Sequence, residues 1–219
     1  MPLYTTEALI LRTYKLGESD RLVVFLTRDR GKKRGVAKNA RQSRRRFGGA
    51  LEPMTCGRVG YVERERRDLV SLHYVEQVRS PLSGANGDAL GYAEYFAELL
   101  DEWAQEADPN EALFRLGAST VDAIAMDVPI EPLARYFEYW LLRLQGVYAV
   151  DQRLSHEARA FLATARGMSP FGLGGVVVSR GALQELEACH RALIAVHLEK
   201  DLKSVRVLRD MRSGGHRGT

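Results

Sequence analysis

The most informative stretch of the sequence is residues 8–38, ALILRTYKLGESDRLVVFLTRDRGKKRGVAK. Apolar and polar side chains alternate at 8–14 and 21–27 with the two-residue period that is typical of half-buried β-strands. Turn-forming residues separate these segments, and Gly31, ahead of a third segment at 34–38, is suited to a positive φ. The stretch therefore predicts three consecutive strands joined by tight turns.

Two more segments of the same character follow at 58–63 and 69–75, where β-branched and aromatic residues are frequent. Five short strands within 80 residues favour a small closed barrel over an open sheet, because an open sheet would leave strand edges unpaired. We therefore predict an α+β chain whose first domain, residues 1–80, is a five-stranded β-barrel.

After the linker-like residues 80–88, the hydrophobic period changes from two to about 3.6, which predicts helices. Apolar faces at 92–103 and 133–144 flank a third helix between them. Asp108 is the predicted cap of that third helix, and Pro109 fits its first turn.

We assign residues 81–212 to this helical domain. A small inserted lobe is predicted at 148–181, with a short helix at 155–166 and a Gly-rich stretch after it. Helical periodicity returns at 183–197 and again at 203–211, and residues 213–219 are predicted to form a disordered tail.

The composition, with 45% apolar and 27% charged residues, is that of an ordinary folded protein. No apolar run approaches the roughly 18 residues needed to span a bilayer, and the first residues lack a secretion signal, so we expect a cytoplasmic protein. Cys56 and Cys189 lie far apart in the sequence, and we expect both to be reduced, packed thiols.

Positive charge is concentrated at the start of the chain. Residues 1–79 contain 18 Lys and Arg against 9 Asp and Glu, whereas residues 80–219 contain 14 against 19. Ten of the basic residues lie between Arg28 and Arg46, opposed only by Asp29. A basic domain beside an acidic one suggests that the first meets a polyanion while the second folds, docks or recruits.

The basic segment at 28–46 has two interpretations. It could be a solvated loop or a nuclear-type address. Alternatively, it could bind nucleic acid, with its cations on phosphates and nearby rings stacked on bases. The candidate rings are Tyr14, Phe47, Tyr61 and Tyr74. Because the segment lies between strands of a predicted barrel and beside these rings, we favour a single-strand binder.

The sequence offers little support for catalysis or metal binding. Gly31-Lys32 lacks the earlier glycine and the following Ser or Thr of a phosphate-binding P-loop. Cys189, His190 and His197 are the best metal candidates, but histidines seven residues apart lie about 10.5 Å apart along a helix, so core packing is favoured. We therefore predict a binding protein with no enzyme activity, no cofactor and no metal.

Several segments of the sequence resemble segments of the RecO family of recombination mediators, and they follow one another in the order found in that family. They are Ala8-Leu9-Ile10-Leu11-Arg12, Gly17-Glu18-Ser19-Asp20, Gly31-Lys32, Gly35-Val36-Ala37-Lys38, Gly49-Ala50-Leu51-Glu52-Pro53, Arg135-Tyr136-Phe137-Glu138, Leu141-Leu142, Gly174-Gly175-Val176 and residues 197–204.

The resemblance implies an N-terminal OB-fold barrel, a C-terminal helical domain and a bacterial protein that acts at the nucleoid. It also implies binding of single- and double-stranded DNA, strand annealing and help in loading recombinase. The implied protein partners are RecR and the C-terminal tail of single-stranded DNA-binding protein.

The sequence departs from the family at the inserted lobe. Many relatives carry two Cys-x-x-Cys pairs there, but the corresponding region of this chain has Val178-Ser179-Arg180-Gly181 and no cysteine near Tyr148. Because a tetrahedral zinc site needs four ligands, we predict a lobe that keeps its outline without zinc.

Two groups of residues are the predicted sites. The cations expected to contact phosphate are Arg12, Lys33, Arg34, Lys38, Arg41, Arg44, Arg45 and Arg46. Arg135, Tyr136 and Trp140 are expected to bind the acidic tail peptide; in the alternative, Arg135 forms an exposed ion pair with Glu131 or Glu138 of its own helix. Two other functions stay open, an RNA- or ribosome-associated module and a structural adaptor for acidic protein tails.

Overall fold

The computed structural model describes residues 2–63, 68–81, 87–149, 154–198, 202–205 and 207–208. Five strands close into a barrel in the order β1-β2-β3-β5-β4, in which only β3 and β5 are parallel. This arrangement confirms the predicted five-stranded OB-fold barrel. The strands are β1 (Leu3–Leu16), β2 (Asp20–Thr27), β3 (Gly31–Ala37), β4 (Cys56–Val62) and β5 (Leu69–Arg79).

The first strand closes the barrel because it bends at a bulge. Its pairing with β2 shifts between Ile10 and Arg12, so Leu11 is the extra residue. The backbone of Ile10 turns instead to the segment before β4, where its N–H donates to Thr55 O and its carbonyl accepts from Met54 N. Such a bulge lets one long strand pair with β2 on one side and with β4 on the other.

Alternate residues of β1 enter two different hydrophobic cores. Ala8 and Ile10 lie in the barrel interior, whereas Leu9 and Leu11 face outward and pack against the helices. The helices and the outer wall of the barrel therefore share one continuous core. The predicted division into domains at residue 80 stays a prediction.

Five α-helices follow the barrel among the described residues. They are α1 (Gly87–Trp103), α2 (Glu111–Ala125), α3 (Ile130–Leu144), α4 (His156–Arg166) and α5 (Arg180–Leu198), with a 3₁₀ turn at Pro170–Gly175 between the last two. Residues 203–205 and 207–208 are also helical, but the rest of the predicted helix at 203–211 and the predicted tail at 213–219 lie outside the described residues. None of the described helices is both long and apolar enough to span a bilayer.

The predicted cap of α2 was wrong by two residues. Asn110 is the N-cap, and its side-chain oxygen accepts from Leu113 N at 2.9 Å. Asp108 lies instead against the β2–β3 turn, where Gly31 has the predicted positive φ of 68°. A Cβ on Gly31 would lie 2.4 Å from Asp108 N, so this close approach needs a glycine.

Candidate nucleic-acid interface

The ten cations between Arg28 and Arg46 fall into two groups according to their partners. The first five form ion pairs with carboxylates, three of which belong to the helical part of the chain. The pairs are Arg28 with Glu7 and Glu111, Arg30 with Asp29, Lys32 with Asp101, Lys33 with Glu63, and Arg34 with Glu106.

Arg12 extends this set of internal pairs. Its Nε lies 2.6 Å from Asp101 Oδ2, and its Nη2 lies 3.3 Å from Glu98 and 3.4 Å from Glu102. Burial alone lowers the pKa of Arg12, but Asp101 and Glu98 raise it by more, so the guanidinium pKa lies above its ordinary value. Much of the charge asymmetry along the chain thus serves to dock the barrel on the acidic helices.

The last five cations lie in the connection between β3 and β4, at residues 38–46. None of them forms an ion pair with a described residue. Four are exposed and one, Arg46, is half-buried. We call the group the free-cation segment; its members are Lys38, Arg41, Arg44, Arg45 and Arg46.

Arg46 and Phe47 hold the free-cation segment in place. Arg46 donates through Nη2 to Lys38 O at 2.8 Å and through Nε to Ser43 Oγ at 2.8 Å. Its guanidinium also lies over the ring of Phe47, 5.1 Å from the centroid, and that ring is 1% exposed inside the barrel. Arg46 is thus partly committed to the segment's own shape, which leaves Lys38, Arg41, Arg44 and Arg45 for an outside anion.

The segment is also tied to the turn between β1 and β2. Arg41 N donates to Ser19 O at 3.2 Å, and Asn39 N donates to Asp20 Oδ1 at 2.8 Å. Asn39 has a positive φ of 52°, a conformation that asparagine adopts more readily than most residues. These bonds bring the free cations beside the end of the β1–β2 hairpin.

Two cations at that hairpin were not among the predicted site residues. Lys15 and Arg21 are paired directly across β1 and β2, and neither forms an ion pair with a described residue. Like charges opposite one another destabilise a sheet, and a bound polyanion would remove that cost. The turn signal at 17–20 fixes this pairing and could have revealed it in the sequence.

The predicted stacking rings do not all face solvent. Phe47 and Tyr61 are buried inside the barrel and are unable to stack on a base. Burial raises the pKa of Tyr61 to about 12. Tyr74 is half-buried, and its hydroxyl lies 3.1 Å from Thr5 Oγ1. Tyr14 is 47% exposed and lines a cleft between β1 and α1. Only Tyr14 and Tyr74 stay as candidates for stacking.

The predicted peptide-binding arginine on α3 is buried. The Arg135 side chain is 4% exposed, and its Nη2 lies 2.8 Å from Glu138 Oε1. The Glu138 carboxylate also accepts from Tyr95 Oη at 2.8 Å and lies 2.9 Å from His190 Nδ1. The internal pair with Glu138 is therefore present, but the expectation that it would be exposed was wrong, because α1 and α5 cover it.

The other two residues of that predicted site pack beneath the lobe. Tyr136 donates from its hydroxyl to Met168 O at 3.2 Å, and Trp140 Nε1 donates to Ala165 O at 3.4 Å. Tyr136 is buried and Trp140 is half-buried, so Trp140 presents the larger accessible surface.

Within the part of the chain that the structure describes, no group of three His, Cys, Asp or Glu side chains is placed to hold a metal ion. Neither cysteine is in a disulfide, as expected; Cys56 is buried and Cys189 is half-buried. Burial raises the pKa of the Cys56 thiol. The predicted absence of zinc stays a prediction.

The sequence is similar to one family along two thirds of its length. Residues 1–81 match the family described as "Recombination protein O N terminal", and residues 84–153 match "Recombination protein O C terminal".

Proteins named "DNA repair protein RecO" are similar to the chain. The one from Koribacter versatilis (strain Ellin345) is 43% identical over 145 residues, which cover 64% of this chain and 58% of the relative. The relative from Anaeromyxobacter sp. (strain K) is 38% identical over 167 residues, which cover 75% of this chain and 64% of the relative. The relative from Bifidobacterium animalis subsp. lactis (strain AD011) is 34% identical over 182 residues, which cover 76% of this chain and 72% of the relative. The alignment thus covers less than two thirds of the first two relatives.

Proposed function

The chain belongs to the RecO family, and from that premise we propose that it is a DNA-repair protein that binds single-stranded DNA on its free-cation segment. The observation that carries this proposal is the absence of ion pairs, within the described residues, at Lys38, Arg41, Arg44 and Arg45. Cations without a carboxylate partner can release DNA counterions without first breaking an internal bond.

The structure narrows the set of residues in the proposal. Arg12, Lys33 and Arg34 were predicted to contact phosphate, but each has a carboxylate within 3 Å. A phosphate would have to displace that partner, so these three are left out. Lys15 and Arg21 are added, because hydrogen bonds place the segment beside their hairpin.

Guanidinium groups bind backbone phosphates, and this binding does not depend on the base sequence. We therefore propose binding without sequence preference, in which Tyr14 and Tyr74 add stacking of about 1–3 kcal/mol for each base that reaches them. An RNA strand offers the same phosphates, so the choice of DNA rests on family membership.

Fluorescence anisotropy with a labelled oligo-dT strand tests the proposal. The variant Arg41→Gln, Arg44→Gln, Arg45→Gln removes three free cations and spares the scaffolding Arg46. The variant Arg58→Gln, Arg115→Gln, Arg180→Gln makes the same change in net charge at exposed positions elsewhere. We expect at least a tenfold loss of affinity in the first variant and less than threefold in the second.

Equal losses in the two variants would contradict the proposed site, since net charge alone would then explain binding. Competition with unlabelled duplex DNA and RNA completes the experiment. Displacement by RNA at concentrations well below those needed for single-stranded DNA would identify an RNA-binding protein instead.

Family membership supports a finer proposal for what binding achieves. We propose that the protein anneals complementary strands and helps to load recombinase, with RecR and the tail of single-stranded DNA-binding protein as partners. The α3 face with Tyr136 and Trp140 is the proposed tail site. Arg135 is able to reach a peptide carboxylate only if its buried pair with Glu138 opens.

Calorimetric titration of the tail peptide into the protein tests the tail site. Trp140→Ala should weaken binding, because Trp140 has the larger accessible surface. Unchanged affinity in that variant would exclude this face of α3.

A further inference from the structure

A second cationic site lies on the helical part of the chain. A cleft of about 490 Å³ opens between the end of α3 and the outer face of α4. Its walls include two tyrosines and three arginines, which are Tyr139, Tyr148, Arg143, Arg159 and Arg166. We call it the arginine cleft.

No acidic residue lines the arginine cleft among the described residues. Arg143 and Arg166 are exposed, and neither forms an ion pair with a described residue. These two guanidinium groups at one chamber create a positive potential that attracts an anion carrying more than one charge.

The geometry of Arg143 is set by aromatic rings. Its Nη1 donates to Tyr139 Oη at 2.9 Å, and its guanidinium carbon lies 5.6 Å from the ring centroids of both Tyr139 and Trp140. A guanidinium held in this way is preorganised, so it loses less side-chain entropy when it binds a ligand.

Tyr148 contributes a second feature that points to a ligand. Its ring is half-buried and packs edge to face on Tyr139, with centroids 4.9 Å apart. Its hydroxyl is buried and forms no hydrogen bond with a described residue, which is uncommon for a buried donor. Burial raises the pKa of Tyr148, so the hydroxyl keeps its proton and stays a donor.

Two of the arginines also have a simpler role in the fold. Arg143 and Arg166 lie in the last turns of α3 and α4, where a cation interacts favourably with the helix dipole. That interaction accounts for a cation at each helix end. It does not account for the arrangement of both arginines and Arg159 around one chamber with aromatic walls.

We propose that the arginine cleft binds a nucleoside phosphate, with the phosphate on the guanidinium groups and the base against the Tyr148 ring. Arginine forks match phosphate oxygens in pairs, and aromatic faces accept any base. The volume lies in the range of small-ligand sites. An acidic peptide spreads its carboxylates along an extended backbone, whereas the cleft concentrates its cations in one chamber.

This site is independent of the free-cation segment. It lies on α3 and α4, and a free nucleotide would fill it without a strand on the barrel. The inference therefore goes beyond the proposed function, and either one can fail while the other holds.

Isothermal titration calorimetry with deoxyadenosine 5′-monophosphate and the full chain tests the inference. We expect the wild type to bind the nucleotide more tightly than it binds inorganic phosphate or deoxyadenosine alone. The variant Arg143→Gln, Arg166→Gln should lose at least tenfold in affinity. The control Arg115→Gln, Arg180→Gln makes the same charge change outside the cleft and should bind as the wild type does.

A second variant, Arg143→Lys with Arg166→Lys, keeps the charge at both helix ends and removes the paired donors. It should bind the nucleotide several-fold more weakly than the wild type. Wild-type affinity in both cleft variants, or no nucleotide binding by the wild type, would overturn the inference.

Competition distinguishes the possible sources of the nucleoside phosphate. If the cleft takes a strand end, a 5′-phosphorylated oligo-dT should displace the nucleotide more strongly than the unphosphorylated strand. If it takes a free nucleotide, neither strand should displace it, and both results support the inference. Binding of an acidic peptide that depends on Arg143 and Arg166, without nucleotide binding, would overturn it and identify a peptide site.

Discussion

Replacement of Arg135 by methionine should be among the most destabilising changes in the helical part of the chain. The guanidinium contacts Glu138 Oε1 at 2.8 Å and Glu187 Oε2 at 3.3 Å, and it is 4% exposed. Burial alone would lower its pKa, but Glu138, Tyr95 and Glu187 raise it by more, so the pKa lies above its ordinary value. The charged form is therefore the one that the fold requires.

The expected cost follows from what the variant leaves behind. Methionine fills much of the space, but the Glu138 carboxylate, 1% exposed, would keep as polar partners among the described residues only Tyr95 and His190. Removing one partner of a buried ion pair typically costs about 3–5 kcal/mol. For a chain of this size, that corresponds to a fall in Tm of roughly 6–20 °C.

Urea unfolding followed by circular dichroism measures this cost. The matched control is Arg28→Met, whose pairs with Glu7 and Glu111 are about half exposed and screened by solvent, so its loss should be far smaller than that of Arg135→Met. The double variant Arg135→Met, Glu138→Gln keeps an acceptor for Tyr95 and should recover part of the loss. A loss below about 1 kcal/mol in Arg135→Met would refute the assignment of a buried, structurally required charge.

Three further predictions concern stability and metal content. Burial alone raises the pKa of Glu98, but hydrogen bonds from Ser204 and Lys203 N and the charge of Arg12 lower it by more. Its contribution to stability should therefore be present above the unfolded carboxyl pKa of about 4.3 and be lost as the pH falls through the lower folded value. Urea titrations should show a shallower acid loss in Glu98→Gln, and identical pH profiles would contradict this. Gly117→Val should cost about 1–3 kcal/mol in thermal unfolding, because a Cβ there would lie 2.6 Å from Leu9 Cδ1; a wild-type Tm would contradict the close packing. Elemental analysis of the purified protein should find no stoichiometric zinc, and about one ion per chain would overturn that prediction.

The barrel could be predicted because its signals are local. Alternation within single strands and turn formers between them need no knowledge of the rest of the chain. Alternation does not say which face of a strand is buried, and for that reason Tyr61 of β4 was placed among the stacking rings. Phe47 was misplaced for another reason: it lies in the connection between β3 and β4, where no alternation shows that its ring enters the barrel. The cap of α2 was misplaced because Asp108 and Asn110 are both good caps on either side of Pro109.

The partners of the charged residues could not be predicted, because they are distant in sequence. Lys32 and Asp101 are 69 residues apart, and Glu138 and His190 are 52 apart. In the sequence, Lys33, which is ion-paired in the structure, cannot be distinguished from Arg44, which has no ion pair with a described residue. Long-range pairing distinguishes the two: Lys33 pairs with Glu63 just after β4, whereas Arg44 pairs with no carboxylate among the described residues. Of the ten basic residues at 28–46, five form such pairs and five form none within the described part of the chain.

The salt dependence of single-stranded DNA binding tests the central claim most directly. Each phosphate contact contributes about −0.7 to the slope of log affinity against log salt concentration. The variant Arg41→Gln, Arg44→Gln, Arg45→Gln should therefore flatten the slope by about 2, while Arg58→Gln, Arg115→Gln, Arg180→Gln should leave it within about 0.5 of the wild type. A wild-type slope in the first variant, or the same flattening in both, would contradict the assignment of DNA binding to the free-cation segment.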